Sequence, residues 1–297
     1  MMALNEWALA EDPPNILVPA ELPAADPTAD IIPPQGWLDI DLREVWASRE
    51  LLYFFVWRDL KVRYKQTAIG VGWVVIQPLL TMMVFSFFFG RLAKMPSGGL
   101  PYPLFYYCAL LPWTYFASAL TAATQTIIEH ERLVTKVYFP RLLLPMSSVL
   151  SGLVDAGVSF TILIGMALYY HIVPRPTTLL LPVFLLLAVA TALGAGLWLS
   201  ALNAVYRDVR HAIPFLVQFW MFVSPVAYPS ALIPVKWRWL YGVNPMAGVV
   251  EGFRWALTGR GSAPGGLLLT SIGTIAVLLV GGVMYFKSME GTLADRI

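Results

Sequence analysis

The sequence predicts an all-α polytopic membrane protein: six transmembrane helices, an N-terminal amphipathic interfacial helix, and two short re-entrant helices before the last span. The first observation behind this is a set of long stretches almost without charge. Gln66–Gly90, Met95–Ile128, Pro176–Tyr206, Ala212–Val235 and Gly261–Phe286 hold no Asp, Glu, Lys or Arg, and Leu142–Tyr170 holds only Asp155. Crossing a ~30 Å hydrocarbon core takes ~20 apolar residues per helix. The second is composition: 58% of the 297 residues are hydrophobic and 13% are charged, against roughly a quarter charged in soluble domains. The third is Tyr228–Arg260, which follows the fifth span and is too apolar for a free external loop.

The chain divides into residues 1–36, 37–65 and 66–297. The first part carries Glu6, Glu11, Asp12, Glu21, Asp26 and Asp30, no basic residue, and Pro13, Pro14, Pro19, Pro23, Pro27, Pro33 and Pro34. Prolines at that density interrupt helices and strands, and the basic start and apolar centre of a secretory signal are missing. It reads as a disordered acidic cytoplasmic tail. Residues 37–65 read as the interfacial helix. Leu42, Val45, Trp46, Leu52, Tyr53, Val56, Trp57, Leu60 and Tyr64 share one face at 3.6 residues per turn, with Arg43, Glu44, Glu50, Arg58, Lys61 and Lys65 opposite. Leu51, Phe54 and Phe55 interrupt the pattern, so part of the helix is expected to meet protein on both sides. Asp41 with Glu44 three residues on suits a helix start. A basic amphipathic helix of this kind lies along a membrane surface. Residues 66–297 form the six-span domain.

Lys and Arg set the orientation. Arg43, Arg49, Arg58, Lys61, Arg63, Lys65, Arg132, Lys136, Arg141, Arg207, Arg210, Lys287 and Arg296 fall on one side of a six-span layout. Arg91, Lys94, Arg175, Lys236, Arg238, Arg254 and Arg260 fall on the other. The richer side is cytoplasmic, which puts both termini inside. On the outer side, Asn244-Pro245 supplies a helix cap and first-turn proline. Met246, Val249, Val250, Phe253 and Leu257 then recur on one face, and Gly259 closes the helix. With the apolar, Trp-rich Ser230–Tyr241 before it, this makes the two re-entrant helices. Irregular backbone at that depth survives only when buried in protein or lining a cavity.

Asp155 is the only acid within a span, and such carboxylates face protein or water. A bundle-facing Asp bonded to neighbours such as Ser151 or Ser159 and a proton-coupling Asp are both open. Gly70, Gly72, Gly194 and Gly196 allow helices to approach closely, and Pro78 is expected to kink the first span. Phe215, Phe219 and Phe222 share one face of the fifth span, and Trp73, Phe85 and Phe88 lie along the first. Such faces suit plain packing or a path for saccharide rings.

The ordered series Arg58–Thr67 (RDLKVRYKQT), Gly70, Trp73, Gln77-Pro78, Leu111-Pro112-Trp113, Lys136–Arg141 (KVYFPR), Tyr206–Val209 (YRDV), Ser224-Pro225 and Asn244-Pro245 resembles the permease subunits of polysaccharide ABC exporters. These are the O-antigen, teichoic-acid and capsule exporters, and the resemblance spans residues 38–290. It implies a homodimer paired with two copies of a separate ABC ATPase that holds ATP and Mg. It also implies a polyprenyl-pyrophosphate-linked glycan substrate, and the inner (plasma) membrane as location. By resemblance, Glu129, His130, Glu131, Arg132, Lys136, Tyr138 and Phe139 form the element that docks into the ATPase, with Arg207 and Asp208 nearby. Arg43, Arg49, Arg58 and Lys61 would draw the lipid headgroup, and the aromatic faces would line the channel.

The residues themselves agree in part. There is no G-x-x-x-x-G-K-[ST] run, so ATP is expected on another chain. There is no internal repeat, so a two-fold pathway needs a homodimer. No cluster of His, Cys or acids suggests a metal or a catalytic residue, the net charge of +2 argues against nucleic acid, and the lone Cys108 has no disulfide partner. The expected function is export of a lipid-linked polysaccharide, O-antigen before the others. The alternatives are an ABC permease for a small amphiphile or drug and a membrane-embedded glycan-modifying transferase.

Overall fold

The computed structural model describes residues 42–65, 72–172, 175–259 and 263–296. The tail 1–36, the Asp41 helix start, Gly70 and Arg260 lie outside these. Every regular element among the described residues is helical. In chain order they are α1 Leu42–Ala47, α2 Arg49–Lys65, α3 Gly72–Phe85, α4 Tyr102–Glu129, α5 Glu131–Lys136, α6 Leu143–Tyr169, α7 Leu181–Val205, α8 Asp208–Val223, α9 Val235–Tyr241, α10 Pro245–Thr258 and α11 Gly265–Arg296. Pro78 lies inside α3, which runs on into a wider π-helical stretch, Ser86–Leu92. Short 3₁₀ turns, Pro176–Leu180 and Ser230–Leu232, precede α7 and α9.

The helices are arranged around α4. It has 28 residues, about 42 Å at 1.5 Å per residue, and packs against α3, α6, α7, α8 and α10. Leu104–Leu111 is buried without a break, which a helix achieves only when neighbours surround it. Among the described residues, four stretches are both long and apolar enough to cross a membrane: Gly72–Leu92, Leu143–Tyr169, Pro176–Val205 and Gly265–Gly291. α4 has the length but carries Tyr, Thr, Ser and Gln along it. Shielded by the other helices, it can be more polar than they are. Its hydroxyls bond backbone carbonyls, as Tyr107 does to Ser159 O at 3.2 Å and Tyr115 to Val149 O at 3.1 Å. α8 has 16 residues, about 24 Å, short of a full crossing.

The outer faces of this bundle are apolar. Leu80, Met83 and Val84 on α3, Phe87 and Phe88 on its π-helical continuation, and Leu269, Ile272, Val277 and Val280 on α11 are exposed. Surfaces this extensive mark contact with a membrane or another protein.

The backbones of α7 and α11 approach closely. A Cβ on Gly194 would fall 2.8 Å from Leu279 N, and one on Gly282 would fall 2.5 Å from Gly194 O. Trp198 stacks on Tyr285 at 4.6 Å beside them. Gly194 thus plays the close-approach role its sequence position predicts. Gly194→Leu should drive backbone from backbone, an overpacking cost of ~1–3 kcal/mol or more, and remove the monodisperse peak in fluorescence size-exclusion of solubilised membranes. Gly165→Leu on α6, where a Cβ meets open space, should leave that peak unchanged. Equal behaviour of the two variants would disprove the contact.

Candidate coupling face and translocation surface

One end of the bundle is built around a second apolar cluster that includes Phe55, Ile127, Val134, Phe139, Leu143 and Phe286. α4 ends there at Glu129. His130 forms the turn, its Nδ1 2.9 Å from Thr126 O, and α5 follows. Val134 anchors α5 inward while Glu129, Glu131, Arg132, Lys136, Val137 and Tyr138 project outward. Tyr138 is 77% exposed and its neighbour Phe139 only 7%. Phe139 packs edge-on against Phe55 at 5.5 Å, so of the sequence-predicted docking residues it faces the chain's own core. Arg141 then binds Glu290, its backbone N–H donating to Oε1 at 3.0 Å and its guanidinium to the backbone oxygen. This ties the start of α6 to the end of α11. Arg207 and Asp208 lie exposed at the start of α8. Among the described residues they form no ion pair with each other.

α2 is fastened along α6. Ser147 Oγ donates to Asp59 Oδ2 at 3.1 Å. Arg63 pairs with Asp155 at 2.6 Å and reaches Ser151 Oγ at 3.4 Å. Tyr64 donates its hydroxyl to the other Asp155 oxygen, and burial together with this bond pushes the phenol up to about 12. Asp155 therefore faces protein, as one of its two sequence readings had it. Its partners come from α2, ninety residues upstream, rather than from Ser151 or Ser159. Asp155→Asn should lower the unfolding midpoint of the purified protein, the lost charge-assisted bonds being worth roughly 1–3 kcal/mol. A double-mutant cycle with Arg63→Gln should show coupling. Fully additive single effects would mean that the two side chains do not act as a pair.

This seam also re-sorts the faces of α2. The protein-facing stripe is Leu51, Phe55, Asp59 and Arg63, and Phe55 is its buried centre. Trp46, Tyr53 and Trp57, read as part of the apolar face of an interfacial helix, are exposed together with Phe54, Lys61 and Lys65. The outward surface is thus aromatic and basic, the chemistry of a membrane interface. Of the four proposed headgroup cations, Arg43, Arg49 and Lys61 are on the exposed side. Arg58 is turned onto its own chain: it pairs with Asp59 at 2.9 Å and lies 4.9 Å over the Phe55 ring.

The aromatic faces divide in the same way. Phe215, Phe219 and Phe222 are exposed along α8, and Phe215 and Phe219 are stacked at 6.5 Å. Trp73 on α3 and Phe88 on the π-helical stretch after it are exposed. Phe85 turns inward, edge-on to Phe89 at 5.3 Å and to Tyr106 at 5.9 Å. α3 and α8 do not pack extensively on one another; each leans on α4. Within one chain the two aromatic sets are therefore separate surfaces.

At the opposite end, Asn244 joins α8 to α10. It caps α10 by accepting from Met246 N at 3.1 Å, accepts from Trp220 Nε1 at 2.8 Å, and donates to Ser224 Oγ at 2.9 Å. Met246, Val249, Val250, Phe253 and Leu257 are buried, and Gly259 closes the helix with φ of 56°, as the sequence predicts. Sequence reasoning counted Arg254 only as an outer-side cation. It is 5% exposed, pairs with Glu251 at 3.1 Å and donates to Val226 O at 2.8 Å and Tyr228 O at 3.4 Å. Its charge on the apolar side of an amphipathic helix, three residues after a glutamate, was the available signal.

Long apolar helices around a shielded α4, with apolar outer faces and a charged surface at one end, define a multi-pass helical membrane protein. The profile of the ABC-2 type transporter family matches residues 50–258, and the chain belongs to this family. It is 28% identical over 259 residues to the O-antigen export system permease protein RfbA of Myxococcus xanthus, covering 86% of this chain and 98% of the relative. The protein of the same name from Klebsiella pneumoniae is 28% identical over 206 residues, 69% of this chain and 79% of the relative. The polysialic acid transport protein KpsM of Escherichia coli is 22% identical over 247 residues, 80% and 93% of the two chains.

Proposed function

We propose that this chain is the transmembrane subunit of an ATP-driven exporter that carries a lipid-linked polysaccharide, most closely of the O-antigen kind, from the cytoplasm across the inner membrane. Similarity to an O-antigen export permease along 98% of that relative's length carries the reading. In it, α4 and the short α8, continued by residues 224–227, join the four apolar stretches to make six spans, with α9 and α10 re-entrant from the outer side and both termini cytoplasmic. The exposed surface of α5, with Arg207 and Asp208, meets an ABC ATPase that holds ATP and Mg. Two copies of each subunit assemble. The exposed Phe215, Phe219 and Phe222 of α8 and the Trp73 of α3 with Phe88 of its π-helical continuation, separate in one chain, line a path completed by the second copy. Arg43, Arg49 and Lys61 on the outward face of α1 and α2 attract the pyrophosphate headgroup. Asp155 is held by Arg63 and Tyr64, which leaves a proton relay without a free carboxylate.

Reconstitution tests this directly. Proteoliposomes holding the chain and its ATPase should move labelled polyprenyl-pyrophosphate-linked glycan on ATP addition, and the chain alone should hydrolyse no ATP. Hydrolysis by the chain alone would refute the reading, and so would transport of a small amphiphile without the glycan.

A further inference from the structure

A cavity of about 610 Å³ opens at the end of the bundle opposite α5, within the ~300–1,000 Å³ range of small-molecule sites. Four stretches wall it: the turn before α4 with Phe105 in its first turn, the stretch from Pro229 to Trp239, α10, and the start of α11. The aromatic rings of Phe105, Trp239 and Trp255 line it together with Glu251, Arg238 and Arg254.

The polar groups are arranged unevenly. Arg254 is committed to the chain: besides Glu251, Val226 O and Tyr228 O, it reaches Phe105 O at 3.5 Å and lies 3.9 Å over the Phe105 ring. Arg238 donates to Ile233 O at 3.1 Å and Ala231 O at 3.3 Å. Glu251 Oε1 accepts from Arg254 and from Ser230 N at 2.8 Å. Among the described residues no group donates to its Oε2, and neither the Trp239 nor the Trp255 indole N–H has an acceptor. The cavity thus offers a carboxylate oxygen, two indole donors and aromatic surface, with Arg254 committed to the chain and Arg238 bonded through Nε and Nη2.

That combination disfavours an anion. A phosphate would meet the Glu251 carboxylate, find Arg254 committed to the chain, and be left with the Nη1 of Arg238. It suits a neutral polyhydroxyl ring, whose C–H face lies flat on an indole while its hydroxyls donate to a carboxylate and accept from N–H groups. We propose that this cavity binds one saccharide unit of the exported polymer on the outer side of the membrane, a proposal that rests on the glycan-export reading above. A weak hold there would let the emerging chain be gripped between transport steps without trapping it.

The test uses the full-length chain copurified with its ATPase. A short lipid-free oligosaccharide cut from the host's own surface polymer is titrated by calorimetry, with sodium phosphate as a second probe. The wild-type complex should bind the oligosaccharide, and phosphate should not displace it. Trp239→Ala removes a mostly exposed side chain, so it leaves no core cavity, and it should weaken binding on the order of tenfold. Glu251→Gln should weaken it too. Unchanged affinity in Trp239→Ala, or displacement by phosphate, would overturn the pocket while leaving glycan export standing. Survival of glycan export in a host lacking the chain would instead overturn the functional reading, and the pocket with it.

Discussion

Arg254→Met is expected to remove most of the folded protein from the membrane. The side chain is nearly fully buried and serves Glu251 and the backbone oxygens of Val226, Tyr228 and Phe105. Breaking a buried pair by deleting one partner costs about 3–5 kcal/mol, a large share of a typical domain's stability. A buried ion pair is often replaceable by apolar residues, and that distinguishes two explanations. If the charge pair alone mattered, Arg254→Met with Glu251→Leu would recover the loss. Three carbonyls lose their donor in either case, so the double variant should remain poorly folded. Arg254→Lys keeps the charge but not the planar fork that reaches several acceptors at once, and should fall between. The check is thermal unfolding of the detergent-purified protein. A wild-type midpoint for Arg254→Met would show that the guanidinium does not hold the α8–α10 connection to α4.

What could be read from the sequence was whatever local chemistry decides. α10 is the clearest case: Asn244, Pro245 and Gly259 mark its ends, and its apolar positions repeat at helical spacing, so the element and its buried face both followed. Gly194 followed as well, since a glycine inside a long apolar helix has little use except close approach. α2 was legible only in part, because it has two apolar faces. Periodicity grouped Trp46, Tyr53 and Trp57, which are exposed, whereas the face on α6 is centred on Phe55, one of the residues that interrupt that pattern, and is fastened by Asp59 and Arg63. Charge partners spaced by some ninety residues leave no trace in a helical wheel. The same limit hid Arg254, whose acceptors lie in segments that only the fold brings together. α4 shows the converse. Its uncharged length marked it as a span, but only the surrounding helices, which bury most of its tyrosines, show that it is the central one.

The last expectation separates docking from folding at the α5 end. Reversing Glu129, Glu131 and Arg132 together should abolish ATP-driven export while leaving the amount and the unfolding midpoint of the membrane protein near wild type. All three side chains are exposed, and surface substitutions of this kind change stability by only about ±0.5 kcal/mol. At a protein interface, juxtaposed like charges cost several kcal/mol, enough to release a partner held at micromolar affinity. Tyr138→Ala should act in the same direction, because an exposed aromatic beside charged residues is a common energetic centre of an interface. Phe139→Ala supplies the contrast. It opens a cavity against Phe55 in the buried cluster, at ~3–5 kcal/mol, so its loss of export should track loss of folded protein. Pull-down of the ATPase from solubilised membranes, normalised to the amount of chain, reads the difference. Normal ATPase capture and export in the triple variant would make α5 a simple connector. A fall in capture for Phe139→Ala at full protein level would show that this ring reaches the partner after all, and that its packing on Phe55 gives way when the subunits meet.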